Sequence, residues 1–387
     1  MRGLALELWD RDSQELLAKR ERSWGPRGGG EPAGWGPGKA IHALTGYEES
    51  RLALMDDELV SQIDNSSLKQ SESNLLFLDG PEHERVRSIV SRSLPNWRTT
   101  AAVASDFAVG LIEQWPSTVE IDIVGDLAVP VAEEAACAIL GLGRDEREGL
   151  AELLATMTAV FDPGSDVSAT GASLRAGQEV LSRVRLSLRR KGYAPGSAID
   201  NLNRYRTSGA ISTREMLASS VMLAHASFQN TANLLSFAAV EVLTNEAASA
   251  SVTAGSPMAG RACVEELLRL CTPASYLIRR AQVPTTVGEM PIAEDDIVIP
   301  CVALANRDPG AFDHPDELLI GRGSSSHLAF GAGHHLCLGS AVARAETLSL
   351  ITGLASKYRS LEVASVTWGA NAVMHGPTSV LARLNGR

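Results

Sequence analysis

FGAGHHLCLG, residues 330–339, is the stretch on which the reading of the whole chain turns. One cysteine, Cys337, stands among His334, His335, Gly331, Gly333 and Gly339. Ligands this close together do not easily supply three corners of a tetrahedral zinc site, and no CxxC or HxxxH pair lies nearby. A dinucleotide loop wants a third glycine where this chain has Leu336. A cysteine nucleophile would need a distant His and an Asn or Asp, which one sequence leaves open.

Gly331 and Gly333 let the backbone turn sharply and approach something large and flat. Cys337 lies just ahead of residues 339–357, whose spacing predicts a helix, and free N–H groups at a helix start favour thiolate over thiol. A thiolate offered as a lone protein ligand suits a soft metal, with haem iron the leading candidate.

The longer segment HLAFGAGHHLCLGSAVARAE resembles the haem-binding signature F-G-x-G-x-[HR]-x-C-x-G of the cytochrome P450 superfamily. Phe330, Gly331, Gly333, His335, Cys337 and Gly339 all match. The resemblance implies haem b (iron protoporphyrin IX) as cofactor, Cys337 as axial iron ligand, His335 on a haem propionate, and Phe330 packed beside the thiolate. Other segments are similar to the family in order and spacing. In EELLR, Glu266 and Arg269 read alone as a solvated i,i+3 pair. By resemblance they are the E-x-x-R pair that braces the cysteine loop. LFLDGPEHERVR implies His83 and Arg87 as propionate ligands, with Gly80 where family members often carry Pro. YLIRRAQ implies Arg279, with Arg280 as its off-by-one rival. ANRDP, 305–309, reads as structural. Buried propionates need such cations and imidazoles around them. The resemblance covers about residues 45–385 and is poor over 1–45.

The expected fold is mainly α with minor β sheets. The resemblance implies one cytochrome P450 domain over 1–387, with haem between a long central helix and the helix after the cysteine loop. Spacing predicts helices at 47–57, 82–93, 102–114, 125–142, 145–160, 168–190, 262–271 and 339–357. Ser212 and Glu215 form a capping-box pattern ahead of an apolar run, 213–244, read as one helix of about 30 residues, roughly 45 Å. Residues 25–38 read as a Gly/Pro loop, 194–210 as a polar connection, 275–300 as strands, 305–329 as irregular, and the C-terminal end as short strands.

That long helix carries the main departure. AHASFQNTANLL aligns with the family's A-G-x-[DE]-T-T-A-N so that Ala226 and Ser227 take the small pair. Gln229 then stands at the acid and Asn230 at the alcohol. A neutral amide does not titrate near pH 7 and can only order a water. The proton relay that hydroxylation needs is therefore atypical here. Protons could come by way of the substrate's own polar group, peroxide could replace reduced oxygen, or the reaction could be a coupling or cyclisation. The family's layout implies a substrate pocket lined by 61–77, 222–230, Ser275, Tyr276, Leu277 and 372–374 with Val373. Phe228 either faces that pocket or packs away from it.

The net charge of -11, with no basic block, argues against a nucleic-acid partner. No long apolar run suggests a membrane span or a signal peptide. Five scattered cysteines suggest reduced thiols in a cytoplasmic protein. The functional expectation is a monomeric haem-thiolate oxidoreductase that tailors a small or medium natural product, free or carrier-tethered. The resemblance implies electrons from a ferredoxin-type donor docking near Arg85, Arg92 and Arg344. A non-catalytic recruitment module that keeps the fold and a cysteine hydrolase are the rival readings.

Overall fold

The computed structural model describes residues 39–62, 74–162, 165–322 and 327–387. The loop expected at 25–38 and the middle of the expected pocket segment, 63–73, lie outside the described residues.

The longer helices are α1 (Tyr47–Met55), α2 (Gly80–Ser93), α3 (Trp97–Gln114), α4 (Val129–Leu140), α5 (Leu150–Met157), α6 (Val167–Arg190), α7 (Ala198–Thr207), α8 (Thr213–Ala226), α9 (Gln229–Thr244), α10 (Glu246–Thr253), α11 (Pro257–Cys271) and α12 (Ser340–Lys357). Strands β1 (Ile41–Leu44), β2 (Leu59–Val60), β4 (Arg279–Ala281) and β7 (Ile297–Pro300) form one sheet in the order β1-β7-β4-β2. Strand β1 runs parallel to β7, and the other pairs are antiparallel. Strands β5 (Thr285–Val287) and β6 (Met290–Ile292) make a small hairpin. Strands β3 (Thr118–Asp122), β8 (Tyr358–Trp368) and β9 (Pro377–Gly386) form an antiparallel sheet in the order β3-β9-β8. The strands expected to be short at the C-terminal end are thus 11 and 10 residues long. Alternate residues Val380, Ala382 and Leu384 turn inward from β9, as a half-buried strand requires.

Two apolar cores hold the helices. One joins α3, α9, α11 and α12 to the β3-β9-β8 sheet through residues such as Ile112, Phe237, Leu267, Ile351 and Leu384. The other joins α2, α4, α5, α6, α7 and α8 through residues such as Val86, Leu140, Leu154, Val184 and Leu202. Each fully buried large aliphatic side chain contributes roughly 1.5–3 kcal/mol.

Two expectations are corrected. Residues 194–210 are not all connection: Ser197 caps α7 by accepting the Asp200 N–H, and Ile199 and Leu202 bury one face. Pro195 and Gly196, which suggested a loop, merely precede the cap. The central helix is also not continuous. Its capping box at Ser212 and Glu215 forms as expected, but α8 ends at Ala226 and α9 begins at Gln229. Ser227 Oγ donates back to Leu223 O at 2.7 Å and Ala224 O at 3.2 Å, and the Phe228 N–H drops to an i−3 bond with His225 O. Such back-bonding competes with the helical ladder and breaks it there. The break lies where the two cores meet, since Leu223 and Phe228 belong to the second and Leu234 to Leu243 to the first.

Candidate cofactor site

The cysteine loop is shaped by two left-handed glycines, Gly331 at φ +72° and Gly333 at φ +68°. A Cβ on Gly333 would lie 2.5 Å from Leu54 O, so glycine is what lets the loop press against α1. The Gly331 N–H donates to Leu328 O (2.8 Å) and the Cys337 N–H to Phe330 O (3.0 Å), which closes the loop on itself. Of the five cysteines, four are buried and Cys337 alone has open surface. The sulfur nevertheless lies deep among protein atoms, and burial raises its pKa. N–H groups of Gly339 and Ser340, and the charges of Arg87 and Arg344, pull the other way without prevailing. The thiolate expected from the helix start is thus not favoured in the chain by itself: two N–H groups and two guanidinia repay too little of the lost hydration. A cation at the sulfur would reverse that balance.

Cations and imidazoles gather on one side of the loop. Arg279 is only 6% exposed, and among the described residues its one hydrogen bond goes to Ile278 O (2.9 Å), with no carboxylate. Burial pulls its pKa down to about 10. The charge of Asp79 offsets only part of that burial, so the position suits a further anion supplied from outside the chain. Arg280, its rival, points away and pairs with Asp295 at 2.8 Å. Buried His83 has no partner at Nε2. Burial, then the charges of His335 and Arg87, hold its pKa near 4. Arg87 donates to Leu336 O. His335 Nε2 lies 3.2 Å from Asp79 Oδ1, and Asp79 is itself pinned by the N–H groups of Ser61 and Gln62. Asp79 is a member of this cluster that the sequence analysis does not single out; its place four residues ahead of His83 is the available signal.

The brace is fully formed. Arg269 and Glu266 are buried and joined by two 3.0 Å bonds, Nε to Oε1 and Nη2 to Oε2. Arg269 also donates to the carbonyls of Asn306, Pro315 and Glu317, while Glu266 accepts from Leu319 N and Arg322 Nε. The solvated-pair reading is thereby excluded. The pair shapes the segment leading into the cysteine loop.

At the helix break Ala226 is exposed although its neighbours Ala224 and His225 are buried. Gln229 Nε2 donates to Asn233 Oδ1 (3.0 Å), and Asn233 Nδ2 reaches His375 O (3.2 Å) and Met374 O (3.4 Å). Asn230 Oδ1 is buried without a partner. Among the expected pocket residues, half-buried Leu277 comes within 3.8 Å of a Cβ placed on Gly331. Of its two readings Phe228 takes the packing one, buried in a side-chain core, and Tyr276, expected at the pocket, is likewise buried in a core. Ser275 and Val373 are buried too, tied by Ser275 N–H to Val373 O at 2.7 Å. Two expected docking cations are also engaged, Arg85 with Glu215 and Arg344 with Glu265; Arg92 stays exposed.

Among the described residues, no group of three His, Cys, Asp or Glu side chains could hold a metal ion, and no helix is long and apolar enough to cross a membrane. A flat group bearing one metal and two carboxylates fits what is present: one exposed cysteine and, among the described residues, a buried arginine with no carboxylate hydrogen bond and a buried histidine with no partner at Nε2.

The cytochrome P450 family model matches residues 260–364. The chain is 28% identical to the biotin biosynthesis cytochrome P450 of Bacillus subtilis over 337 residues, covering 84% of this chain and 85% of that protein. It is 26% identical to the beta-dihydromenaquinone-9 omega-hydroxylase of Mycobacterium tuberculosis, covering 92% and 74%. The crystal structure of P450BioI in complex with an acyl carrier protein ligated to hexadec-9Z-enoic acid superposes with a TM-score of 0.83, at 24% identity, over 99% of this chain and 100% of that one.

Proposed function

The chain belongs to the cytochrome P450 superfamily, an enzyme family whose cofactor is haem, and from that premise we propose that it oxidises a biosynthetic small molecule presented on a carrier protein. The observation that carries the haem reading is the exposed Cys337 in its glycine-shaped loop, together with buried Arg279, which has no carboxylate hydrogen bond among the described residues. Bound haem supplies one-electron and oxygen chemistry that no protein side chain offers.

The chain's own residues do the rest. Cys337 Sγ would hold the iron, oriented by the N–H groups of Gly339 and Ser340. Arg279 and Arg87 would neutralise the two propionates, the His83 and His335 rings could hydrogen-bond them, and Asp79 holds the His335 ring in place. Glu266 and Arg269 fix the approach of the loop. Phe330 packs against the core and accepts the Cys337 N–H at its carbonyl. Ala226 leaves room above the site, at the one exposed point of the helix end. Gln229 does not act as an acid, because a neutral amide does not titrate near pH 7, and one of its two Nε2 hydrogens is held by Asn233. Asn230 can order a water or a substrate hydroxyl through its free Oδ1. Protons therefore reach the site by way of the substrate's own polar group, and a coupling or peroxide-driven oxidation is the variant of this reading that the occupied Gln229 favours.

The carrier follows from likeness to P450BioI, whose crystal structure holds an acyl carrier protein. The electron donor is a ferredoxin-type protein, and the enzyme works as a cytoplasmic monomer. The test is the difference spectrum of reduced protein with carbon monoxide. The long-wavelength band that gives the family its name is expected in the native chain and absent in Cys337→Ser. Its absence from folded native protein carrying haem overturns the reading.

A further inference from the structure

Glu265 precedes the bracing Glu266 by one residue, about 100° around the helix, and faces a different set of groups. Its carboxylate takes a fork from Arg344, with Nε at 2.6 Å and Nη2 at 3.0 Å, and lies 3.1 Å from His327 Nε2. These partners come from opposite ends of the cysteine loop. His327 precedes it, buried, and Arg344 follows it on α12. The His327 tautomer is set by its other nitrogen: Nδ1 accepts the Ala329 N–H at 3.3 Å, so the proton sits on Nε2 and is donated to Glu265. Burial pushes the Glu265 pKa up, but the bonds from His327 and Arg344 outweigh it and hold the carboxyl at about 2.

Both partners close on one ring. The Arg344 guanidinium lies 4.5 Å over the centre of Phe330, and the His327 ring centroid is 5.8 Å from it. Phe330 O in turn accepts the Cys337 N–H. Arg344 also acts on the sulfur directly, as one of the two charges that favour its ionised form. Glu265 thus bonds neither Cys337 nor any residue assigned to the haem, yet it holds the two groups that close on Phe330, whose carbonyl accepts the Cys337 N–H, and one of the charges that act on the sulfur.

We propose that Glu265 is a positioning residue for Cys337, clamping both ends of the cysteine loop through His327 and Arg344 and setting how much positive charge the sulfur experiences. The proposal rests on the haem-thiolate reading above. Reduction of ferric to ferrous iron adds one electron and no proton at the sulfur, so nearby positive charge favours the ferrous form. Glu265→Gln leaves Arg344 uncompensated and raises the reduction potential. Arg344→Met removes the cation and lowers it. Glu265→Asp restores the native value in part. A merely structural role moves thermal stability in all three without opposite shifts of potential.

The experiment has two arms. In the haem-loaded protein, the potential is measured by spectroelectrochemical titration of the native chain, Glu265→Gln, Glu265→Asp and Arg344→Met. In the haem-free protein, hydrogen exchange is followed over residues 327–339 of the native chain, Glu265→Gln and His327→Phe. Opposite shifts in the first arm and exchange about tenfold faster in both variants of the second are expected, since a charge-assisted bond is lost in each. Potentials that stay put or move the same way, with native exchange in the loop, overturn the proposal. A native chain without the thiolate band defeats the haem-thiolate reading instead, and the exchange arm then judges the clamp alone.

Discussion

The imidazoles of His83 and His335 lie face to face, ring centroids 4.2 Å apart and planes tilted by 37°, one on α2 and the other in the cysteine loop. Two charged rings at that distance would repel, so one of them stays neutral. Burial and His335 make that ring His83. His225 is a second such case: it is fully buried at the end of α8, with Nε2 unpartnered and its pKa held near 4 by burial alone.

For a histidine whose folded pKa is depressed, the unfolded chain takes up the proton first. Stability present above about pH 6.5 is therefore lost as pH falls toward 4. The His225 part of this is worth up to roughly 3 kcal/mol. Denaturant titrations of the haem-free protein between pH 7 and pH 4.5 should show a steep loss. In His225→Phe the slope should be shallower; an unchanged slope would mean that His225 takes up its proton as readily folded as unfolded.

Glu346 has the opposite sign. Buried on α12 with Oε1 unpartnered, its carboxyl is pushed up to about 8 by burial. The stability of the neutral form is complete below the ordinary value of 4.5 and is lost as pH rises through 8. The advantage of Glu346→Gln over the native chain should grow by about 1.4 kcal/mol per pH unit across that window. Melting curves at pH 5 and pH 8 compare the two; a gap that does not widen refutes the burial argument.

In the haem-free chain Arg279 has one carbonyl bond and only the charge of Asp79 to offset its burial. Arg279→Met should leave the haem-free protein within about 1 kcal/mol of native stability, because burial of the guanidinium outweighs what Asp79 returns. The same change should speed loss of haem to an acceptor protein by tenfold or more, the propionate having lost its buried partner. Equal haem loss from native and variant protein would place the propionates elsewhere.

Gln229 is a tether before it is anything else. Gln229→Glu sets a carboxylate against Asn233 Oδ1, and turning the Asn233 amide to suit it would point an oxygen at the carbonyls of Met374 and His375. Gly376 leaves no slack, since even a Cβ there would lie 2.4 Å from the Asn233 side chain. The substitution should cost about 1–3 kcal/mol at pH 8. Asn230→Thr, which disturbs no existing bond, should cost less. A Glu variant as stable as native protein would show that the hairpin tip is held by something else.

How much of this the sequence made legible depends on what fixes each feature. The cysteine loop could be read because its glycines and cysteine act through local backbone geometry. The break between α8 and α9 could not, because apolar spacing runs through 227–228 unbroken and only the direction of one serine hydroxyl interrupts it. Arg279 and Arg280 are neighbours on a strand, so one must face inward. Which one depends on the pairing of β4 with β7, a register set by residues far away. Asp79, Glu265 and His327 stayed unread for the same reason: each takes its meaning from partners on other elements.

Arg269 takes hold of residues 306–317 by three carbonyl oxygens, and its guanidinium lies 5.2 Å over the ring of Phe312. Every amino acid carries a carbonyl. Phe312 apart, the grip on this segment is therefore written in an alphabet common to all residues, and substitutions at the other positions can accumulate while the approach to the cysteine keeps its course. A single change at the guanidinium would release the whole stretch at once.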